Sequence, residues 1–326
     1  MKRVNINQAK DLLLRGEVVA IPTETVYGLA GWINSDIGLR KIFSTKERPF
    51  FDPLIVHIDT IEKARTLTSD WTPVHQVLAK TCWPGPLTLI AKKNALTNPI
   101  ITSGLDSVGL RCPNHPATLE LLSMIDGGLA APSANKFGKT SPTSAAHVFE
   151  EFGKDVAILD GGSCDVGIES TVAGIEESDK GWKVLIYRPG FFTSQSLQNI
   201  LKENGINAIV EYAESPVAPG QLKHHYMPNI PLIIVAENSD WTKIRPVVEN
   251  KLGREISKPA FWTLASDPVI ASRELYQNLR QFSADGHDLI LIHRNSLHTG
   301  EDWKGIWNRL TKAKTFEVTE TLAMME

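Results

Sequence analysis

The amino-acid sequence predicts an α/β fold arranged as two domains. Its 326 residues exceed the roughly 100–200 residues of one ordinary domain. Short apolar runs, typical of buried strands, alternate along the chain with segments whose apolar residues recur at helical spacing. A proline-rich segment at 213–231 separates two such patterns, so we assign a larger domain to residues 1–212 and a smaller one to 232–326.

In the larger domain, strands and helices follow one another at short intervals. Asn7 and Gly16 are typical of the start and the end of a helix, and Pro22 ends the first apolar run. The predicted helices lie at residues 8–15, 37–46, 116–125 and 143–152. The predicted strands lie at residues 18–21, 54–58, 87–91, 108–111, 129–131, 156–159, 171–175 and 184–187.

The smaller domain repeats this alternation with three predicted strands, so we expect a Rossmann-like α/β domain. The strands lie at residues 232–235, 261–264 and 288–293, and the helices at 243–252, 271–282 and 303–310. This region contains no glycine-rich phosphate loop. Nothing in its sequence therefore predicts a chemistry of its own.

Composition excludes several classes of protein. The net charge of −3 argues against a basic nucleic-acid-binding domain. Cys82, Cys112 and Cys164 are widely spaced and form no Cys-x-x-Cys pair, so we predict neither a disulfide framework nor a zinc site, and we expect a reducing cytoplasm. No apolar run approaches the ~18 residues that cross a bilayer, and the first residues lack the apolar core of a secretory signal, so we expect no membrane association.

Two cations, Lys46 and Arg48, lie where the second predicted helix ends. On a helix they would diverge by about 200° and could not share a ligand. Pro49 disfavours the helical region for Arg48, so we expect an extended segment with both cations on one side. Such a pair suits a polyphosphate, and a solvated basic helix end is the alternative.

Ser133 and Asn135 follow a short predicted strand, with Gly138 and Ser141 shortly after them. Hydroxyl, amide and main-chain N–H groups in such a turn can contact phosphate oxygens or the edge of a base. A surface turn made of turn-forming residues is the alternative interpretation.

Polar side chains also stand at the ends of other predicted strands. Arg111 ends an apolar strand, and a buried charge there requires either a ligand carboxylate or an internal acidic partner. His57 lies near the end of another, where a histidine packed in the core is the alternative to a ligand contact. Arg188 follows the last strand of the larger domain and Ser170 precedes the strand before it.

The sequence shows no nucleophile–base arrangement. It contains no Gly-x-Ser-x-Gly, no phosphate-binding Walker loop and no His/Cys metal spacing. If the protein is an enzyme, we expect it to hold two substrates together and to stabilise charge without a covalent intermediate.

Taken together and in this order, the motifs resemble the YrdC-like family, specifically its threonylcarbamoyl-AMP synthases. The matching segments are Pro22–Leu29, Lys46 with Arg48, Pro53–His57, Val108–Pro113, Ser133 with Asn135, Glu169–Val172 and Arg188–Gly190. The likeness covers about residues 5–210. The proline-rich segment and a tail containing Arg273–Tyr276 and Asn308–Leu310 resemble the long, two-domain form.

The resemblance implies a YrdC-like twisted open sheet with flanking helices. It also implies a nucleotidyltransferase that joins L-threonine, bicarbonate and ATP into threonylcarbamoyl-AMP with release of pyrophosphate, for the t6A37 modification of tRNA. ATP would be a substrate, with Mg²⁺ bound through its phosphates and without a metal site in the protein. We further expect a transient contact with the threonylcarbamoyl transferase complex, and weak or indirect tRNA binding.

Family roles carry over to matching positions of this sequence. Lys46 and Arg48 would be the catalytic residues, acting on the phosphates. The threonine contacts would be Thr25, His57, Arg111 and Ser170. The ATP contacts would be Lys46, Arg48, Asp52, Ser107, Ser133, Asn135, Ser141, Arg188 and Tyr226. The segment around Tyr226 would form a lid, because the labile carbamate needs water kept out.

Two departures and two alternatives accompany this resemblance. Ala131 stands where many relatives carry serine or threonine, and Ala218–Tyr226 differs from the usual lid sequence at several positions. A double-stranded RNA-binding module without catalysis would need a broad basic surface, which the acidic net charge disfavours. A carbamoyl-phosphate-using transferase module of hydrogenase maturation would bring zinc-finger-like cysteines and an acylphosphatase-like segment, which this sequence lacks.

Overall fold

The structure is a computed structural model that describes residues 1–179, 181–214 and 225–318. The chain divides into two compact units. The first comprises Met1–Phe137 and Ser141–Leu222, and the second comprises Gly138–Thr140 and Lys223–Glu326. Most of the predicted linker, residues 215–224, lies outside the described residues, as does most of the Ala218–Tyr226 lid segment. No helix in the described ranges is long and apolar enough to span a bilayer.

The first unit is built on a mixed sheet of eleven strands, counted over the described residues. The strands are β1 (Lys2–Val4), β2 (Val19–Ile21), β3 (Gly28–Trp32), β4 (Ile55–His57), β5 (Leu87–Lys92), β6 (Ser107–Arg111), β7 (Leu129–Ala130), β8 (Ala157–Leu159), β9 (Thr171–Ser178), β10 (Gly181–Arg188) and β11 (Ala208–Tyr212). Their order across the sheet is β1-β8-β2-β3-β7-β4-β6-β5-β9-β10-β11. The central strands β7, β4 and β6 bring the ends of several sequence motifs next to one another.

Helices cover both faces of this sheet. They are α1 (Ile6–Leu14), α2 (Asp36–Lys46), α3 (Ile61–Thr66), α4 (Pro73–Cys82), α5 (Pro99–Thr102), α6 (Pro116–Ser123), α7 (Ala145–Phe152) and α8 (Ser194–Glu203). Alternate residues of β2 enter two different apolar clusters, because successive strand side chains point to opposite faces. One cluster packs against α1 and α6, and the other packs against α2, α4, α7 and α8.

Local sequence explains where these helices begin. The first helix starts at Ile6 and not after Asn7, because Asn5 accepts a hydrogen bond from the Gln8 amide while the Gln8 side chain accepts one from the Asn5 amide. The same logic places Ser35 before α2, where its hydroxyl accepts from the Gly38 amide. The predicted helix ending at Lys46 is confirmed, and it carries Lys46 into the candidate site.

The second unit has a four-stranded parallel sheet over the described residues, one strand more than predicted. Its strands are β12 (Leu232–Ala236), β13 (Pro259–Trp262), β14 (Leu289–Arg294) and β15 (Phe316–Val318), in the order β13-β14-β12-β15. Its helices are α9 (Trp241–Leu252), α10 (Pro268–Ala284) and α11 (Lys304–Ala313), the last preceded by a 3₁₀ turn at Glu301–Trp303. The fourth strand was not predicted, since only three residues pair and only Val318 is fully buried.

Candidate active site

The segment after β2 forms a buried, hydroxyl-rich turn. The Thr23 hydroxyl lies 2.8 Å from the Thr25 hydroxyl and donates to the Val26 carbonyl at 2.6 Å. Both threonine side chains are almost fully buried. The Leu29 amide then donates to the Pro132 carbonyl, and the Ala134 amide donates to the Tyr27 carbonyl. The motif at Pro22–Leu29 is thus fixed beside the turn that contains Ser133 and Asn135.

Lys46 joins the end of α2 to that same turn. Its ammonium donates to the main-chain carbonyl of Ser133 at 2.5 Å and to that of Asn135 at 2.6 Å. Its side chain is 1% exposed. Burial, with the neighbouring Arg48 charge adding to it, lowers the pKa of Lys46 well below its usual value. Of the two alternatives, a solvated basic helix end is therefore wrong.

The backbone conformation between Lys46 and Arg48 differs from the one that we predicted. Glu47 has a left-handed backbone with φ of 53°, so the segment is a left-handed helix cap and not the extended strand we expected. The Arg48 amide donates a hydrogen bond to the Phe43 carbonyl at 2.9 Å. Its guanidinium lies 2.8 Å from an Asp52 carboxylate oxygen and donates to the Pro53 carbonyl at 2.9 Å.

Asp52 connects this pair of cations to a third. Burial raises the pKa of the Asp52 carboxyl, while the charges of Arg48, Lys46 and Arg188 oppose that rise. Arg188, at the end of β10, donates to the Ser170 carbonyl at 3.0 Å and to the Ser170 hydroxyl at 3.1 Å. Two cations from the end of α2 and a third from the end of β10 therefore act on one carboxylate, which Arg48 contacts directly, and such an arrangement is suited to a polyphosphate.

Ser170 is held between two strands. Its hydroxyl lies 2.8 Å from the hydroxyl of Thr88 on β5, and its side chain is 1% exposed. The parallel pairing of β5 with β9 places Thr88 beside Val172 and fixes this contact. A serine held in this way presents a fixed oxygen next to the Arg188 guanidinium.

Arg111 and His57 lie side by side at the ends of β6 and β4, where they are register partners. An Arg111 guanidinium nitrogen lies 2.8 Å from a Glu24 carboxylate oxygen, and both side chains are about 95% buried. The internal acidic partner is therefore present, and a ligand carboxylate stays a prediction for Arg111. Burial first, and the Arg111 charge second, lower the pKa of His57 to about 3, so this imidazole is neutral at pH 7.

The remaining predicted residues take different positions. The Ser141 hydroxyl donates to a Glu169 carboxylate oxygen at 2.6 Å, and its side chain is fully buried. Ser107 begins β6, at the opposite end of that strand from Arg111, and lines a small pocket with Pro53 and Thr88. Tyr226 belongs to the second unit, where it is buried with φ of 64°. Its predicted contact with ATP stays a prediction.

Three polar residues that position this site were not singled out from the sequence. Glu24 holds Arg111, Glu169 holds Ser141, and Thr88 holds Ser170. Glu24 and Glu169 each lie inside a motif that the sequence analysis used. An acidic residue within an apolar or hydroxyl-rich segment could have indicated a buried partner for a site residue. Thr88 carried no such signal, because threonine is ordinary in a strand.

The charges of the site decide how a divalent cation would reach it. In the described ranges, no group of three or more His, Cys, Asp or Glu side chains could hold a metal ion. The Asp52 carboxylate already pairs with Arg48. Ammonium and guanidinium groups do not coordinate a metal ion, so these side chains do not provide the oxygen ligands that a resident magnesium ion needs.

Fold and site together define an α/β protein with a buried cluster of cationic and hydroxyl side chains at the ends of its central strands. A family model described as "Telomere recombination", of the Sua5/YciO/YrdC group, matches residues 11–190. A second one, described as "Threonylcarbamoyl-AMP synthase, C-terminal domain", matches residues 192–315. The chain belongs to the Sua5/YciO/YrdC family and has its two-domain Sua5 form.

Individual relatives agree with this assignment. A threonylcarbamoyl-AMP synthase of Pyrococcus abyssi is 34% identical over 96% of this chain and 95% of its own length. One of Bacillus subtilis is 40% identical over 70% of this chain and 66% of its own length. The crystal structure of P. abyssi Sua5 complexed with L-threonine superposes with a TM-score of 0.82, at 31% identity, over 97% of this chain and 98% of that one. The predicted fold class is therefore confirmed.

Proposed function

We propose that this protein is an L-threonylcarbamoyladenylate synthase, which condenses L-threonine, bicarbonate or CO₂ and ATP to threonylcarbamoyl-AMP and pyrophosphate. The observation that carries the proposal is the convergence of Lys46, Arg48 and Arg188 around Asp52, in a chain of the family whose full-length relatives bear that name. The product would serve the t6A37 modification of tRNA. The comparisons give no support to the alternative of an RNA-binding module.

In the first step, the amine of threonine and CO₂ form a carbamate. A carbamate oxygen then attacks the α-phosphorus of ATP, and the bond to the β-phosphate breaks, so that pyrophosphate leaves. Positioning and charge neutralisation suffice for such a transfer. Lys46, Arg48 and Arg188 would neutralise the triphosphate, and Ser133, Asn135 and Ser141 would orient the nucleotide. Mg²⁺ would be held by the phosphates and would supply further charge neutralisation.

The threonine side of the site would consist of Thr25, His57, Arg111 and Ser170. Arg111 is rigid because Glu24 holds it, and a ligand carboxylate would meet its remaining N–H groups. The neutral His57 offers one nitrogen as donor and one as acceptor, which suits a hydroxyl or an amine. Ala131 has no side-chain hydroxyl that could contact threonine. Its amide donates to the Ile55 carbonyl, so Ala131 forms a main-chain hydrogen bond and no side-chain one.

We also propose that the protein works in a reducing cytoplasm. Cys82, Cys112 and Cys164 are buried free thiols, and burial raises the pKa of each to about 12. Thiols of this kind are poor nucleophiles at neutral pH. A transient contact with the threonylcarbamoyl transferase complex would deliver the unstable product, and tRNA binding would be weak or indirect.

The test is threonine-dependent release of pyrophosphate. The pure chain is incubated with ATP, L-threonine, bicarbonate and Mg²⁺, and pyrophosphate and threonylcarbamoyl-AMP are both measured. We expect both to form together, and neither to form when threonine or bicarbonate is left out. Serine as the only effective amino acid, or no pyrophosphate at all, would defeat the proposal.

A further inference from the structure

A cleft of about 470 Å³ lies in the second unit and is lined by residues of that unit. Its walls include Glu237, Arg294, His298, Trp303, Lys304 and Trp307. The reaction proposed above uses none of these residues. Its volume lies in the range of about 300–1,000 Å³ that is usual for small-molecule sites.

The topology of the four-stranded sheet explains why a cleft opens there. Strands β12 and β14 are parallel neighbours. The chain leaves β12 for β13, which lies beyond β14, and it leaves β14 for β15, which lies beyond β12. Glu237 directly follows β12, and the loop from Asn295 to Gly300 follows β14. Ligands of open α/β sheets bind at the carboxyl ends of such neighbouring strands, where the connections run in opposite directions.

The walls of the cleft combine flat rings with positive charge. The Arg294 guanidinium lies 4.8 Å from the centre of the Trp307 ring, and the His298 ring stacks on Trp303 with centres 4.1 Å apart. The Arg294 and Lys304 side chains are 48% and 44% exposed, so both remain accessible to a ligand. Their acidic neighbours are Glu317, 3.5 Å from Arg294, and Glu301, 2.6 Å from Lys304.

Two polar groups complete the cleft. The Glu237 carboxylate accepts from the amide and the hydroxyl of Ser296, at 3.1 and 3.2 Å, and this fixes the loop after β14. His298 is 5% exposed, and its Nδ1 atom is buried without a hydrogen-bond partner among the described residues. A buried polar atom that lacks a partner is uncommon in folded proteins.

We propose that this cleft is a second ligand site, which binds a mononucleotide. The base would stack on the Trp307 face, the phosphate would meet Arg294 and Lys304, and the sugar hydroxyls would meet Glu237 and the loop after β14. Stacking on an indole accepts any base, and arginine matches the geometry of a phosphate group. The site is distinct in its residues from the proposed ATP site, and its occupancy does not depend on the synthase reaction.

The first experiment is equilibrium dialysis of the full-length chain with AMP as the probe. The wild type is compared with Arg294→Gln and with a control, Arg254→Gln, whose side chain is 42% exposed and pairs with Asp288 before β14. We expect Arg294→Gln to weaken one binding event about tenfold or more, as loss of a charge-assisted phosphate contact does, and the control to leave it unchanged. Equal binding curves for all three chains would overturn the proposal.

The same titration in a Lys46→Ala chain separates this site from the proposed ATP site. At least one AMP-binding event must survive Lys46→Ala, and it must be weakened about tenfold or more in the double variant with Arg294→Gln. This outcome does not depend on whether the chain makes threonylcarbamoyl-AMP. If Lys46→Ala alone abolishes all AMP binding, the second site does not exist.

A photolabel provides a readout that needs no substitution. The full-length chain is irradiated with 8-azido-AMP, and the labelled peptides are identified by mass spectrometry. We expect label within residues 294–307, and an excess of AMP should suppress it. Label confined to residues 1–214 would overturn the proposal.

Discussion

The ammonium of Lys46 lies 2.6 Å from the main-chain oxygen of Asn135, a residue 89 positions further along the chain. A second carbonyl, that of Ser133, accepts from the same ammonium at 2.5 Å. One side chain thereby ties the end of α2 to the turn that carries two of the predicted ATP contacts. The end of α2 and the turn at Ser133–Asn135 are consequently held together by one side chain, and a change at Lys46 should disturb both.

We predict that Lys46→Ala and Arg48→Ala each lower the rate of pyrophosphate formation by at least about 100-fold, because each removes a fixed cation from the developing charge. Lys41→Ala is the matched control. Lys41 lies on the same helix, it pairs with Glu17, and it is far more exposed than Lys46. Rates are measured at saturating threonine and bicarbonate, and circular dichroism checks the fold. Unchanged rates in both variants would remove the phosphate role.

We predict that Glu24→Gln destabilises the protein by about 3–5 kcal/mol, because it leaves the buried Arg111 guanidinium without its counter-charge. Glu211→Gln is the control. Glu211 pairs with Lys183 at the surface, with side chains 47% and 40% exposed, so its loss should cost far less stability than the loss of Glu24.

The measurement for Glu24→Gln is unfolding in denaturant, with and without a large excess of L-threonine. If the threonine carboxylate binds Arg111, threonine should stabilise the variant more than it stabilises the wild type. Equal stabilisation of the two chains would speak against a carboxylate contact at Arg111.

Much of the first unit could be predicted because its strands are short apolar runs that end in recognisable polar residues. The strand ending at His57 and the strand ending at Arg111 are both confirmed, and so is the helix that ends at Lys46. Strand β3 was missed, since Gly28 and Gly31 interrupt its apolar pattern. Close packing favours glycine at position 31, because a Cβ would lie 3.0 Å from the Gly38 carbonyl oxygen of α2.

The partners of the site residues could not be predicted for a different reason. Glu24 and Arg111 are far apart in the sequence and meet only because β4, β6 and the turn after β2 come together in the sheet. The left-handed Glu47 was equally hidden, since only a few per cent of residues other than glycine adopt positive φ. Local pattern predicts elements, whereas these contacts depend on how the elements pack.

We predict a stability difference from His57 that depends on pH. The folded imidazole has its pKa lowered from 6.5 to about 3, while the unfolded chain binds a proton near pH 6.5. The lowered pKa of His57 therefore costs no stability above about pH 6.5, and the free energy of unfolding decreases as the pH falls from there toward 3. His57→Asn should lose about 1.4 kcal/mol less than the wild type for each pH unit in that window.

Unfolding in denaturant at pH 6.5 and pH 5.0 tests this prediction. His75, whose pKa burial also lowers, is present in both chains and does not enter the difference. Equal loss of stability in the wild type and in His57→Asn would show that His57 is accessible to protons in the folded protein.

We predict that Arg280 positions the residue before Ser141. Its guanidinium donates to the Thr140 carbonyl at 2.5 Å, the Thr140 hydroxyl donates to the Tyr226 carbonyl at 3.2 Å, and the Met227 amide donates to the Gly138 carbonyl at 2.8 Å. Residues 138–140 group with the second unit, although Asn135 and Ser141 on either side of them are predicted ATP contacts.

Arg280→Ala should therefore raise the KM for ATP severalfold, because the main chain that leads into Ser141 loses its anchor at the Thr140 carbonyl, while the KM for threonine stays the same. Arg280→Lys should recover part of the loss, since an ammonium can still donate to the Thr140 carbonyl. Gln281→Ala is the control, because Gln281 lies on the same helix and its side chain donates to the Asp285 carboxylate. A purely structural role would lower the melting temperature without moving the two KM values apart. Equal KM values in all four chains would place Arg280 outside the path that positions the nucleotide.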